Sequence, residues 1–458
     1  MNAKAEAFFS QIKGKTVAIC GIGKNNRPVI RQFLAAGARV IACDRRTRDQ
    51  LAEATELEQE GAVLHLGEGY LDGLDEATLI LRTPGMKPYL PPFERARARG
   101  IPVSSEMELF FDLCPAPIYA VTGSDGKTTT TTIIAGLLDA AGKKVFLGGN
   151  IGRPLLPCIG EIGENDAAVV ELSSFQLTRM EQSPHVAVVT NVAPNHLDWH
   201  TDMQEYIDAK KNLVRYQKAG DRAVLNADNA VTAAFAGETQ AAVRLFSRTH
   251  PVEEGAFVDA EGRLCVAADG TVTPVMSIAD IRLPGKHNVE NYLAAVAAVW
   301  GEVPAEAIRQ YARTFGGVAH RCELVRERGG VRWYNDSIGS SPSRTIAGLE
   351  AFDKPVILIA GGYDKHIPYT PLGPVAARKV KAAILMGATA DAIEEAIRAC
   401  SALPIIRAAD MEQAVKEADK LARDGDIVFM SPASASFDMY PNFEVRGDHF
   451  KALVNALT

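Results

Sequence analysis

The sequence predicts an α/β protein of three domains, the first and last Rossmann-like and the central one of P-loop type with a small antiparallel insertion. Three observations predict this. Short apolar runs alternate with helical spacing along 458 residues, a length that corresponds to about three domains. A glycine turn, Gly21-Ile-Gly23, follows the apolar run Thr16-Val-Ala-Ile-Cys20. A second glycine turn, Gly123-Ser-Asp-Gly-Lys-Thr128, follows Ala120-Val-Thr122 and leads into the apolar segment Ile133–Leu138.

The first domain is expected over residues 1–114. Its opening strand at 16–20, a helical pattern ending before Gly37, and the strand Val40-Ile-Ala-Cys43 with Asp44 at its end form a β-α-β unit. Asn26 stands where a dinucleotide fingerprint has its third glycine, so nicotinamide binding is only one use of this loop. A further strand, Thr78-Leu-Ile-Leu81, precedes Thr83-Pro-Gly85, and ligands of open α/β sheets bind at such strand ends. Pro115-Ala-Pro117 reads as a linker into the central domain, residues 115–317. Strands are expected there at 167–170 and 186–190, both apolar enough for a sheet buried on two faces. Between about 243 and 275, two turns near Glu261-Gly262 and Asp269-Gly270 separate short runs that read as the antiparallel insertion. An alanine-rich helix follows at 290–300. The third domain, 318–458, carries strands at 331–335, 355–360, 382–386 and 426–430, with amphipathic helices at 390–399 and 411–423.

Net charge is −7, so no global basic surface suggests nucleic acid as a partner. Seven cysteines are scattered without a C-x-x-C pair, which fits a reducing cytoplasm. Cys20 and Cys43 fall inside strands as small hydrophobes. The N-terminus lacks a signal peptide's apolar core, and no apolar run approaches the roughly 20 residues of a membrane span.

The chemistry concentrates in the central domain. Glycines at 123 and 126 let backbone N–H groups converge on an anion, and the following helix adds its dipole. Lys127 then reaches terminal phosphates and the Thr128 hydroxyl suits Mg²⁺, so a nucleoside triphosphate is expected. The spacing is G-x-x-G-K-T rather than the longer Walker A loop, since Val121 occupies the position of the first glycine. Five consecutive threonines, poor helix formers, need a reason at a helix start. Glu171, at the end of the run 167–170, is placed to hold Mg²⁺. His196 and Asp198 follow the next strand; two residues do not make a tetrahedral zinc site, and a role toward magnesium or substrate oxygens is expected instead. His200 reads as ordinary surface, and composition alone leaves Lys210 and Lys211 as solvated helix lysines.

Taken in order, Gly123 to Thr128, Glu171-Leu-Ser-Ser-Phe175, Asn195-His-Leu-Asp198, Leu283-Pro-Gly-Lys-His-Asn288 with Asn291, and His320-Arg321 resemble the Mur ligases, the ATP-dependent amino-acid ligases of peptidoglycan precursor synthesis. The resemblance covers nearly the whole chain. Gly148-Gly-Asn-Ile-Gly152, Ser431-Pro-Ala-Ser-Ala-Ser-Phe-Asp438 and Asn442-Phe-Glu-Val-Arg-Gly447 resemble the branch that adds D-glutamate to UDP-N-acetylmuramoyl-L-alanine. What the resemblance implies is specific. The central domain would be an ATPase domain, with Gly123, Ser124, Asp125, Gly126, Lys127, Thr128, Thr129, Asn288, Asn291, Arg321 and Asp336 around ATP. The first domain would take the UDP end of the substrate on Gly21, Gly23, Lys24, Asn25, Asp44 and Arg45, with Thr83 to Gly85 near the diphosphate. Asn150, Ser173 and His196 would face the muramoyl part. Two Mg²⁺ sites would draw on Thr128, Glu171, His196 and a carbamylated Lys210. Ser340, Lys365, Ser436, Phe437 and Phe443 match the D-glutamate pocket. A cytoplasmic monomer is expected, acting on small molecules and on neither nucleic acid nor membrane. The chain departs from the family where Asp336-Ser-Ile-Gly-Ser-Ser341 carries Ile338 for a lysine and Ser340 for a threonine, and at Lys24-Asn25-Asn26. Two other readings stand beside this one: another Mur-type or folylpolyglutamate-type ligase, and a non-catalytic nucleotide-binding regulator.

Overall fold

The computed structural model describes residues 2–195 and 199–457. Its strands form three sheets. The first holds β1 (Thr16–Cys20), β2 (Arg39–Asp44), β3 (Val63–Leu66), β4 (Leu79–Arg82) and β5 (Val103–Ser104), all parallel in the order β3-β2-β1-β4-β5. Val17, Ile19, Val29, Phe33 and Val40 are fully buried between its strands and helices. A helix at Ala3–Ile12, not legible as an apolar run, packs Phe8 and Phe9 edge-on against Phe33. Asn2 caps it by accepting from Ala5 N and sends its own amide to Leu113 O and Ile159 O.

The second sheet has nine strands: β6 (Ile118–Thr122), β7 (Val145–Gly149), β8 (Ala167–Glu171), β9 (Val186–Val189), β10 (Arg222–Asn226), β11 (Ala242–Ser247), β12 (Gly255–Val258), β13 (Arg263–Ala268) and β14 (Thr271–Ser277). Their order is β14-β13-β12-β11-β10-β9-β6-β8-β7. Every residue of β6 and β8 is buried, as expected for strands covered on both faces. The runs expected around the two turns are β12 and β13, which pair antiparallel with each other, and β13 pairs antiparallel with β14. The preceding strand β11, at the start of the stretch from about 243, is parallel to both β10 and β12. The antiparallel strands thus extend the edge of the parallel sheet rather than forming a separate piece. A two-turn sequence pattern reports the hairpins but not the strand they pair with.

The third sheet comprises β15 (Glu323–Arg328), β16 (Val331–Asn335), β17 (Val356–Gly361), β18 (Val380–Met386), β19 (Ile405–Arg407) and β20 (Ile427–Met430), ordered β15-β16-β20-β17-β18-β19. Only the β15–β16 pair is antiparallel. Among the described residues no helix is long and apolar enough to cross a membrane. The chain divides into two compact units, Met1–Ile278 with Glu290–Tyr311, and Ala279–Val289 with Ala312–Thr458. The first two sheets lie in the first unit and the third sheet in the second.

Candidate active site

The β6 strand stops at Thr122, and the chain turns through Gly123–Gly126 into the helix Lys127–Ala140. Gly126 has a φ of 78°, left-handed, and a Cβ there would collide with Asn291 Oδ1. A Cβ on Gly123 would collide with Thr190 Oγ1. The loop is held from the end of β9 onward. Ser124 N donates to Asn191 O at 2.9 Å and Asp125 N to Asn191 Oδ1 at 2.9 Å. Thr190 Oγ1 donates to Asp125 O at 2.6 Å, and Ser124 Oγ meets Ala193 O at 2.8 Å and the Tyr206 hydroxyl at 2.9 Å. The first-turn amides of any helix lack a carbonyl one turn back, which is the arrangement an anion needs. The threonine run now has its reason. Thr131 and Thr132 donate to the carbonyls of Lys127 and Thr128, and Thr130 donates to Asn291 Oδ1 at 3.1 Å. Thr129 is buried in the same helix.

Three expected site residues converge on this loop. Thr128 Oγ1 donates to Glu171 Oε2 at 2.6 Å, and Asn150 Nδ2 donates to Glu171 Oε1 at 2.7 Å. Glu171 ends β8 and is 2% exposed. Lys127 Nζ bends back to Gly123 O (3.0 Å) and Ser124 O (2.8 Å). Lys210, on the helix Met203–Arg215, is 1% exposed, so the solvated reading from composition fails for it. Its amine donates to Gly123 O at 2.7 Å and lies 4.6 Å from the centre of the Tyr206 ring. Burial, reinforced by the Lys127 charge, holds the Lys210 pKa well below the usual lysine value, against the pull of Asp125 and Glu171. Lys211 is not a solvated lysine either: its side chain is 15% exposed and pairs with Glu238 at 3.0 Å and Asp208 at 3.4 Å. Ser173 caps the short helix Ser174–Leu177 in a reciprocal pair with Gln176.

His196 and Asp198 lie outside the described residues. His200 is a correction: it is 2% exposed, not surface. Its Nε2 meets Ser174 Oγ at 2.9 Å, and its ring stacks on Phe175 and abuts Trp199 and Tyr206. The packing that buries it comes from residues on three separate segments, which no local pattern reveals.

In the first sheet, Asp44 Oδ2 accepts from Ile22 N at 2.7 Å. Arg46, rather than the exposed Arg45, grips the carboxylate from both sides and donates to Ile22 O at 2.8 Å. Burial raises the Asp44 pKa, but the Arg46 guanidinium and the two backbone amides outweigh it and hold the group near about 2. Gly23, Lys24 and Asn25 form an exposed turn, while Asn26 is buried and donates to Gly21 O. Thr83 N donates to Cys20 O, and Gly85 O accepts from Trp199 Nε1 at 3.3 Å.

In the second unit, Asp336 follows β16 and accepts from Ser431 Oγ (2.7 Å) and Cys322 N (3.1 Å). Burial raises its pKa to about 6 despite these donors and the charges of Arg321 and Arg344. Asn288 donates to Pro284 O. Lys365 and Ser340 are brought together, Nζ standing 3.4 Å from the Ser340 hydroxyl. Ser436 is buried, whereas Phe437 is 64% exposed and its ring centre lies 5.8 Å from that of Tyr363. Phe443 starts the helix Phe443–Ala456 with its ring against His320. Arg446, quoted in the sequence only as part of a motif, is the hub of this region. Fully buried, it donates to Ser337 Oγ and to the carbonyls of Ser337, Ser434 and Ala435. It thereby ties the Asp336 loop to the segment that ends in Phe437.

A phosphate loop at the end of β6, inside the parallel part of the sheet, beside a buried carboxylate and a buried lysine, defines a nucleotide-dependent enzyme. Three family models match in succession: "Mur ligase MurD-like, N-terminal domain" over residues 15–105, "Mur ligase middle domain" over 121–299, and "Mur ligase, glutamate ligase domain" over 320–434. The chain belongs to the Mur ligase family. It is 52% identical over 468 residues to the UDP-N-acetylmuramoylalanine–D-glutamate ligase of Acetivibrio thermocellus, covering all of both chains. It is 51% identical over 445 residues to the protein of the same name from Symbiobacterium thermophilum, covering 96% of this chain and 98% of that one. Among solved structures it resembles the UDP-N-acetylmuramate–alanine ligase MurC of Thermotoga maritima, with a TM-score of 0.58 and 16% identity over 96% of this chain and 99% of that one. That likeness supports the fold.

Proposed function

We propose that this chain is an ATP-dependent ligase that joins D-glutamate to UDP-N-acetylmuramoyl-L-alanine in peptidoglycan precursor synthesis. What carries the reading is end-to-end identity of 52% to a ligase of that name in a chain that also has the phosphate loop, Glu171 and Lys210 assembled. The terminal carboxylate of the uridine substrate attacks the γ-phosphorus of ATP; the P–O bond to ADP breaks and an acyl phosphate forms. The amine of D-glutamate then attacks the acyl carbon, loses a proton, and inorganic phosphate leaves.

The first step brings two anions together. The first-turn amides after Gly126 and the Lys127 ammonium, which exchanges its two loop carbonyls for phosphate oxygens, offset that repulsion. The Thr128 hydroxyl and the Glu171 carboxylate are hard oxygen donors that fit Mg²⁺, and a carbamate on Lys210 and His196 would complete the two sites. Magnesium, when bound, would supply positive charge that offsets the repulsion of the two anions. Burial and the Lys127 charge disfavour the ammonium form of Lys210, which favours the neutral amine that adds CO₂ and releases a proton. Asn150 keeps Glu171 oriented. Residues 1–114 take the uridine nucleotide on the loops at Gly23–Asn25, Asp44–Arg45 and Thr83–Gly85, with Asn150 and Ser173 toward the sugar. Residues 115–317 hold ATP on Gly123–Thr129 and Asn291, with Asn288, Arg321 and Asp336 also serving the nucleotide. Residues 318–458 receive glutamate on Ser340, Lys365, Ser436, Phe437 and Phe443. The enzyme is proposed to act as a cytoplasmic monomer.

The test is phosphate release from ATP with UDP-N-acetylmuramoyl-L-alanine and each glutamate enantiomer. Release with the D-form alone is expected. Equal release with the L-form, or release only with a different amino acid, would move the chain to another branch.

A further inference from the structure

A cavity of about 340 Å³ opens in the first unit, away from the phosphate loop, and its lining includes Arg82, Arg97, Glu108, Arg179, Glu181 and Gln182. Arg82 ends β4 and is 3% exposed. Among the described residues no carboxylate comes within ion-pair distance of it. Its guanidinium is held instead by two carbonyls, Met86 O and Thr178 O, each at 3.2 Å. A buried cation with only neutral acceptors is costly and rarely kept without a use. Glu108, the acid it feels most, has its own carboxyl pushed up by burial. Glu181 is exposed.

Two more guanidinium groups stand around Arg82. Arg97 is three-quarters buried and donates to Pro88 O and Glu94. Arg179 lies over the Tyr89 ring at 4.6 Å and has a φ of 67°, a left-handed backbone that a side chain of this kind adopts at a cost.

We propose that this cavity binds a small organic oxyanion, a carboxylate or a phosphate ester, whose charged end takes the Arg82 fork while Arg97 and Arg179 close on it. Three guanidinium groups line the cavity; Arg97 and Arg179 share one carboxylate, Glu94, and their remaining N–H groups, with those of Arg82, are donors matched to such oxygens. The volume is at the small-molecule scale, well above that of one or two waters. Arg82 joins Met86, just past Thr83–Gly85, to Thr178, just past Glu171–Phe175, so an occupant on Arg82 is linked through two hydrogen bonds to segments that continue two loops of the candidate active site.

The experiment titrates the full chain carrying Lys127→Ala, which removes the phosphate loop's own cation, with inorganic phosphate and separately with malonate, by calorimetry. Saturable binding of at least one probe is expected. Adding Arg82→Met, or separately Arg179→Gln, should weaken it roughly tenfold or more. Arg179 is partly exposed, so its variant tests the site even if the Arg82 variant fails to fold; melting without anion checks both. No saturable binding of either probe, or unchanged affinity in the folded variants, overturns the proposal.

Discussion

Two residues carry opposite burdens from burial. Lys210 loses its charge readily because desolvation and the Lys127 ammonium both disfavour it, and the neutral amine is what a carbamate requires. Replacing it by alanine should lower turnover by roughly 10–100-fold, with partial recovery on adding formate or acetate. Full turnover without them would remove the carbamate from the mechanism. Asp336 has its pKa raised from 3.8 to about 6, so the folded chain binds this proton more tightly than the unfolded chain does. Stability must therefore fall as pH rises from 3.8 to about 6, by an amount on the order of 3 kcal/mol for this group. Asp336→Asn should flatten that slope, and melts at pH 4 and 7 would read it as a gain for the variant that grows toward pH 7. His200 and Arg446 owe their roles to partners that no periodicity brings near, Ser174 for the first and Ser337 with Ser434 for the second. Arg46 differs: it holds Asp44, two residues away, and only its bond to Ile22 O spans a long stretch of chain. Lys127, Thr128 and Glu171 were legible because a glycine turn and a strand end fix them locally.

Among elements, the helix Lys127–Ala140 shows how a weak former is made to serve. Thr131 and Thr132 satisfy their hydroxyls on carbonyls one turn back, Thr130 on Asn291 and Thr128 on Glu171, so a run that would destabilise an isolated helix becomes part of the loop's support. Gly126 is the narrow point. An alanine there adopts a left-handed backbone at a cost of about 1–2 kcal/mol and pushes Asn291 aside. Gly126→Ala should therefore weaken ATP binding while leaving uridine-nucleotide affinity unchanged, and calorimetry with each nucleotide separates the two. Strands with long apolar runs, such as β17 and β18, were legible for the reason that they are buried on both faces. Others were not. In β15 (Glu-Leu-Val-Arg-Glu-Arg) polar residues dominate an antiparallel edge, and β7 carries two glycines at its end. Their strand character comes from a neighbour's hydrogen bonds, not from their own composition.

At the scale of the molecule, the chain does not fill its compact units in simple succession. The segment Glu290–Tyr311 belongs with residues 1–278, although the eleven residues before it, Ala279–Val289, belong with the C-terminal unit. Within the first unit this segment is core. Tyr292 to Val299 are all 0% exposed. Asn291 supports the phosphate-loop helix through Thr130, and Tyr311 sits so close to Gly136 that no Cβ fits there. Removing the segment exposes about eight buried side chains, each of the larger ones contributing roughly 1.5–3 kcal/mol, a sum comparable with the whole stability of a domain. A truncation ending at residue 278 should therefore fail to give a cooperative melt. One ending at 311 should melt cooperatively and bind ATP, because everything that packs around Gly123–Thr128 in this unit is present. Circular dichroism melts and nucleotide calorimetry on the two truncations decide the matter: equal behaviour would mean that the segment is not part of the first unit's fold, and that the support of the phosphate loop lies elsewhere.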